Sequence, residues 1–196
     1  RAGGGAPGVC PSPEDGEAGR GGVVRGNGGA VGRASEVRQP GDRVGVDVAG
    51  GPLMIVRGKE ARIRALSAVC RHRWMLLGEG AESAGTIACP YHKWTYALDG
   101  ALMAAPLMDK AEGFERDACA LPSFACEVWN GFIFVNLGGD AEPLAQALAP
   151  LAAEFAPWKM DELEIAGRVE FDQPYNWKVL ADNFMEAYHH FAIHPE

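Results

Sequence analysis

Two short patterns restrict this chain more than anything else in it: Cys70-Arg71-His72 and Cys89-Pro90-Tyr91-His92, with sixteen residues between His72 and Cys89. The chain holds five histidines and five cysteines, and four of those ten side chains fall in these two segments. A thiol and an imidazole two or three positions apart can be aimed at one point by a single backbone bend. Two such loops can therefore close on one inorganic centre from opposite sides. Two centres suit the set. Two thiolates and two imidazoles can hold a structural tetrahedral zinc. Alternatively, both cysteines hold one iron and both histidines the other iron of a [2Fe–2S] cluster. Zinc knuckles tend to draw each ligand pair from one residue type, whereas each loop here contributes one thiol and one imidazole, which favours the cluster. Ordinary core cysteines and satisfied histidines explain the constellation poorly.

Composition narrows the rest. At 196 residues there is room for one full domain, or for one domain and part of another. A hydrophobic fraction of 47% with 22% charged residues is that of a soluble globular protein. No apolar run approaches the roughly 18 residues of a membrane span, and the N-terminus lacks the layout of a secretory leader. Eighteen Lys and Arg stand against 26 Asp and Glu, a net charge of −8. Nucleic acid is thereby an unsuitable partner, because binding phosphates needs a basic face. Cys10, Cys119 and Cys126 follow no pairing pattern, and Cys119 and Cys126 read as small buried apolar residues. Thiolate ligation without a disulfide framework points to the reducing cytoplasm.

Residues 1–35 carry 12 of the 26 glycines, and no aromatic residue precedes Trp74. Such a stretch buries too little apolar surface to offset its ordering entropy and is expected to be unordered. From Val44 onward short strands alternate with turn signals: Val44–Val48, Leu53–Val56, Ile63–Leu66, Thr86–Cys89, Trp94–Leu98, Ala101–Ala104 and Cys126–Leu137. Asp99-Gly100 marks a hairpin between two of them. Residues 36–140 therefore read as an antiparallel β domain. The character changes after Gly138-Gly139. Leu144, Leu148, Leu151 and Phe155 recur at helical spacing behind Pro143, with a kink expected at Pro150. Glu164–Phe171 reads as a strand, and Asn176 as the N-cap of a helix reaching about His190, with Pro195 as its limit.

That last helix carries a second group of chemistry-bearing residues: Asp182, Asn183, Glu186, His189, His190 and His194. His190 and His194 are four apart, close to one face of a helix, as in helical zinc proteases, yet no Glu follows His190 to act as that motif's base. His189 and His194 are five apart and converge only if the helix ends or distorts between them. Pro195 disfavours helix at His194. Glu186 lies on the face of His189, three residues before it.

Cys70-Arg-His-Arg-Trp, followed by Cys89-Pro-Tyr-His-Lys-Trp-Thr-Tyr, Leu98-Asp99-Gly100 and Ala105-Pro106, resembles the Rieske domain of the Rieske non-heme iron oxygenase large subunits. The segment from Asn176 to His194 resembles their mononuclear iron motif, in the family's order. The resemblance implies an α+β fold: an antiparallel β Rieske domain at 36–140, then the start of an α/β helix-grip-type catalytic domain at 141–196. It implies a [2Fe–2S] cluster on Cys70, Cys89, His72 and His92, with the histidines on the outer iron. Trp94 and Trp74 would pack round the loops or serve as ordinary core aromatics. It implies iron(II) on His189 and His194 as part of a two-histidine, one-carboxylate set. Glu186 would be the acidic bridge to a Rieske histidine of a neighbouring subunit, Asp182 a weaker catalytic candidate, and His190 a supporting residue. Glu at the bridge resembles branches that include choline- and carnitine-type monooxygenases.

The family's third ligand is an Asp far downstream of the two histidines, and no residue of this chain matches it. The chain is therefore expected to be an N-terminal piece of such an oxygenase, inactive by itself. Electrons would come from NAD(P)H through a reductase or ferredoxin. Dioxygen would hydroxylate, or hydroxylate and dealkylate, a small organic substrate. The assembly would be a homotrimer or an αβ hexamer, because electron transfer between subunits needs head-to-tail contacts round a closed ring. The alternative is a Rieske ferredoxin-like electron-transfer protein without catalysis.

Overall fold

Asn130 and Gly131 both take positive φ, 47° and 79°, the backbone signature of a two-residue type I′ hairpin turn. They divide the run expected as one strand, Cys126–Leu137, into β9 (Ser123–Trp129) and β10 (Phe132–Asn136), paired antiparallel with Phe132 opposite Trp129. The computed structural model describes residues 28–78, 80–108, 110–172, 174 and 176–194. Of the expected unordered head, residues 1–27 lie outside the described residues, as does Pro195. Residues 28–35 do not behave as expected. Gly29–Arg33 form a strand, β1, antiparallel to β10. Backbone pairing needs no side-chain area, and Val31 and Ala34 pack on the core behind it.

The remaining strands are β2 (Asp42–Val48), β3 (Gly51–Arg57), β4 (Ile63–Ser67), β5 (Ala81–Ser83), β6 (Ile87–Ala88), β7 (Thr95–Tyr96) and β8 (Leu102–Ala104). Among the described residues, one sheet runs β1-β10-β9-β4-β3-β2-β5 and a smaller one β6-β7-β8. Every pairing is antiparallel. Gly100, at φ 93°, turns the expected hairpin between β7 and β8.

Strand β3 is buried on both faces, and its period of two sorts its side chains between two cores. Leu53 and Ile55 join Val37, Ile63, Ala65, Ile133 and Val135 in one. Met54 and Val56 join Leu66, Trp94, Tyr96, Leu98 and both loop cysteines in the other. The smaller sheet is thus welded to the larger one by the core in which Cys70 and Cys89 sit.

The expected helix after Pro143 is present as two pieces, α1 (Leu144–Ala147) and α2 (Ala149–Phe155). The break falls at Leu148, one residue earlier than the expected kink at Pro150 needs. Pro150 occupies the first turn of the second piece, where its missing N–H has no helical partner to lose. This first compact unit continues to Ile165. Arg33, 9% exposed, holds its far end: its guanidinium lies 4.3 Å above the Phe132 ring and donates to the carbonyls of Met160 and Leu163 (3.0 Å to the latter).

The second unit, from Ala166, contains α3 (Trp177–Met185) and α4 (His190–Ile193). Two expectations fail here. Glu164–Phe171 forms no strand, because an extended run becomes one only with a neighbouring backbone to pair with. The helix expected to reach His190 ends at Met185, so Glu186, Tyr188 and His189 lie in a connection and not on a helix face. Many apolar side chains of this unit are exposed, among them Phe184, Met185, Tyr188 and Phe191. No helix among the described residues is long and apolar enough to cross a membrane.

Candidate metal centres

The two cysteine loops are the same backbone turn built twice. Cys70 N–H donates to the Met75 carbonyl (2.8 Å), while the Cys70 carbonyl accepts from Trp74 N–H (3.0 Å). Cys89 N–H donates to the Trp94 carbonyl (2.8 Å), while the Cys89 carbonyl accepts from Lys93 N–H (3.1 Å). In each loop the residue four after the cysteine is left-handed, Trp74 at φ 58° and Lys93 at φ 60°. Antiparallel pairing closes both bases, Val69 with Leu76 and Ala88 with Thr95.

These turns bury both cysteines, each 1% exposed, as free thiols facing one another. Burial pushes the Cys70 thiol up, the Tyr96 hydroxyl opposes that, and the adjacent Cys89 thiol adds to it. The imidazoles form the second pair. His72 and His92 stand edge to face with centroids 4.5 Å apart, and Tyr91 lies against His92 at 3.7 Å. His72 Nδ1 is buried and has no hydrogen-bond partner. Burial first, then the charges of His92 and Arg73, hold His72 below the usual imidazole range. It is therefore neutral and able to donate a lone pair.

Thiol beside thiol and imidazole beside imidazole is the donor layout a two-iron cluster needs, one like pair per iron. A buried ring nitrogen without a partner is costly unless something outside the protein satisfies it. The residues present fit the cluster.

Tyr96 closes the second loop's motif but carries no assigned role there, and Phe114 lies outside it. Tyr96 lies two residues beyond Trp94 on β7 and so shares its face, a signal that was legible. Its hydroxyl approaches Cys70 Sγ at 3.2 Å and accepts from Arg71 N–H at 3.1 Å. Phe114 packs edge-on to Trp94 at 5.7 Å from an irregular loop whose sequence pattern carries no such signal.

In the second unit His189 and His194 flank α4, with ring centroids 5.7 Å apart. His190 lies 4.5 Å from the first and 5.5 Å from the second. Glu186 accepts from the Tyr188 N–H through one carboxylate oxygen and meets His189 Nδ1 with the other. The hydrogen bond with His189 holds its carboxyl below the usual range. Asp182 stands one turn earlier on the exposed surface of α3.

Comparison with known proteins resolves what this pair of centres belongs to. Residues 28–125 match the Rieske [2Fe-2S] domain, and residues 160–196 match the ring hydroxylating alpha subunit catalytic domain. The chain belongs to the Rieske non-heme iron oxygenases. Among Rieske oxygenases it is 36% identical over 168 residues to the carnitine monooxygenase oxygenase subunit of Acinetobacter baumannii, covering 84% of this chain and 45% of that protein. It is 35% identical over 167 residues to the glycine betaine monooxygenase oxygenase subunit of Chromohalobacter salexigens, covering 85% and 37%. The chain thus spans less than half the length of these relatives.

The quaternary ammonium Rieske monooxygenase CntA, solved with L-carnitine, superposes with a TM-score of 0.84 at 34% identity, covering 88% of this chain and 50% of that one. Naphthalene 1,2-dioxygenase, solved with indole, superposes at 0.71 and 27% identity, covering 86% and 39%. The two matched domains imply a [2Fe–2S] cluster and a mononuclear iron.

Proposed function

We propose that this chain is part of the oxygenase subunit of a Rieske monooxygenase acting on a small quaternary ammonium compound of the carnitine or betaine type. The carrying observation is the sorted donor set, two facing thiols and two facing imidazoles with the buried, unpartnered Nδ1 of His72. The matches to carnitine and glycine betaine monooxygenase subunits support the substrate class. When bound, the cluster and the iron supply one-electron transfer and dioxygen activation, the chemistry that hydroxylation, and dealkylation after it, require.

The chain's own residues do the holding. Cys70 and Cys89 supply thiolates to one iron, and His72 and His92 supply neutral imidazoles to the other. His189 and His194 are two ligands of the mononuclear iron, whose third lies outside the described residues. Glu186 accepts the Nδ1–H of His189, which fixes the tautomer and frees the other ring nitrogen to ligate. The same carboxylate is the residue that would reach a Rieske histidine of a neighbouring subunit in a trimer or an αβ hexamer. The electron donor is a reductase or ferredoxin, and the setting is the cytoplasm. The catalytic-domain match at residues 160–196 weighs against a ferredoxin without catalysis.

The test is reconstitution with iron and sulfide. A reduced Rieske EPR signal with about three irons per chain supports both centres. About two irons leaves an electron carrier alone, and zinc without the signal overturns the assignment. In the complete subunit, carnitine or glycine betaine should drive oxygen uptake. Glu186→Gln should slow that uptake while the cluster spectrum stays unchanged.

A further inference from the structure

We propose that Trp94 is the positioning residue for His72, fixing the plane in which its imidazole meets the centre. The inference rests on the reading of the four loop side chains as cluster ligands. The two rings are stacked, with centroids 4.7 Å apart and planes within 7°. Rotation of the imidazole about its Cβ–Cγ bond would drive the edge of the ring into the face of the indole. The indole cannot yield. It is 2% exposed, Phe114 stands edge-on against it, and the Trp94 carbonyl closes the second cysteine loop by accepting from Cys89 N–H. Trp94 thus belongs to the backbone of one loop and holds the side chain of the other.

The unpartnered Nδ1 makes the restraint visible. A His72 free to turn would carry that nitrogen to water, since burying it without a partner costs free energy. The ring remains partly exposed, so water is within reach of a modest rotation. It does not rotate because one face is covered by Trp94 and the edge of His92 stands 4.5 Å away. Setting the plane of this imidazole is therefore a packing decision, made by an aromatic residue that binds no metal.

Three variants of the iron–sulfur-loaded full chain test this: Trp94→Phe, Trp94→Leu and Phe114→Leu. The readouts are the g values and line widths of the reduced cluster, and the ring-current shift of the His72 protons in the metal-free protein. Trp94→Leu should shift and broaden the EPR lines and lose the ring-current shift. Trp94→Phe, which keeps a stacking ring, should restore both nearly to the parent. Phe114→Leu, which touches no ligand, should broaden the lines less and keeps the test available if Trp94→Leu fails to fold. Spectra from Trp94→Leu or Phe114→Leu that superpose on the parent overturn the proposal, as does a Phe variant no better than Leu. A parent chain that assembles no cluster overturns the ligand reading beneath it, an outcome distinct from either.

Discussion

The hydroxyl of Tyr96 lies 3.2 Å from Cys70 Sγ and 3.1 Å from the backbone nitrogen of Arg71. Arg71 N–H can only donate, so it takes a lone pair of the phenol oxygen and leaves the phenolic proton for the sulfur. Tyr96 is fully buried, and burial pushes its hydroxyl far above the ordinary range, so it stays protonated.

A hydrogen bond donated to a ligand sulfur withdraws charge from the cluster and makes it easier to reduce. Tyr96→Phe removes that donor and preserves the ring. A hydrogen bond to a charged group contributes about 1.5–3 kcal/mol, and the difference between oxidation states is a fraction of this, on the order of 1 kcal/mol. The reduction potential should fall by roughly 40 mV on the one-electron scale of 59 mV per tenfold. Protein-film voltammetry reads it, and an unchanged potential would show that the proton points elsewhere.

Lys93 and Trp74 hold left-handed backbone at φ 60° and 58° without being glycine. That conformation costs an L-residue roughly 1–2 kcal/mol. Lys93→Gly relieves the strain but gives back about 0.5–1 kcal/mol through the entropy of the unfolded chain. Its melting temperature should rise slightly, a net gain of roughly 0.5 kcal/mol. Lys93→Val, branched at Cβ, should lower it.

Arg33 ties residues 160–163 to the sheet through two carbonyls and the face of Phe132. Arg33→Ala leaves those carbonyls without their charged donor, a loss of about 2–3 kcal/mol. Limited proteolysis should then cut near Lys159 much faster than in the parent. Equal cleavage rates would mean that the segment is held by something else.

Burial pushes the Cys126 thiol up to about 11, with Glu127 adding and Arg62 opposing. Against an ordinary 9.0, the thiolate at pH 8 is scarcer by a factor of about 100, and alkylation by iodoacetamide should be slower by that order. The raised value favours the protonated thiol in the fold. The stability it contributes is whole below pH 9 and is lost as pH rises through about 11. Mass spectrometry of Cys126 labelling against pH checks both the rate and its rise.

The Cys70-x-His72 and Cys89-x-x-His92 spacing announces two like-built loops, and the gathering of their thiols and imidazoles is legible because each pair is local to one turn. The layout of Tyr96, Trp94 and Phe114 round them was only partly so, since side-chain packing between separate segments leaves no periodic trace. The Asn130-Gly131 hairpin was readable and passed over, hidden inside a β-rich run whose apolar character continues across the turn. Gly29–Arg33 was misjudged from composition, because pairing along a sheet edge is decided by the neighbouring strand and not by apolar content. In the second unit the five-residue separation of His189 and His194 calls for a break between them, yet α4 fills that interval and the break falls before His189. That the break comes as early as Met185 depends on tertiary surroundings that local propensity does not encode.

Both cysteine turns are closed by main-chain bonds that involve no metal. A cluster held by these loops would therefore sit in a cage whose shape is set by the backbone itself. Because both sulfurs are walled in while the imidazole rings remain partly open, a cluster held here would meet solvent, and any oxidant, from the histidine side.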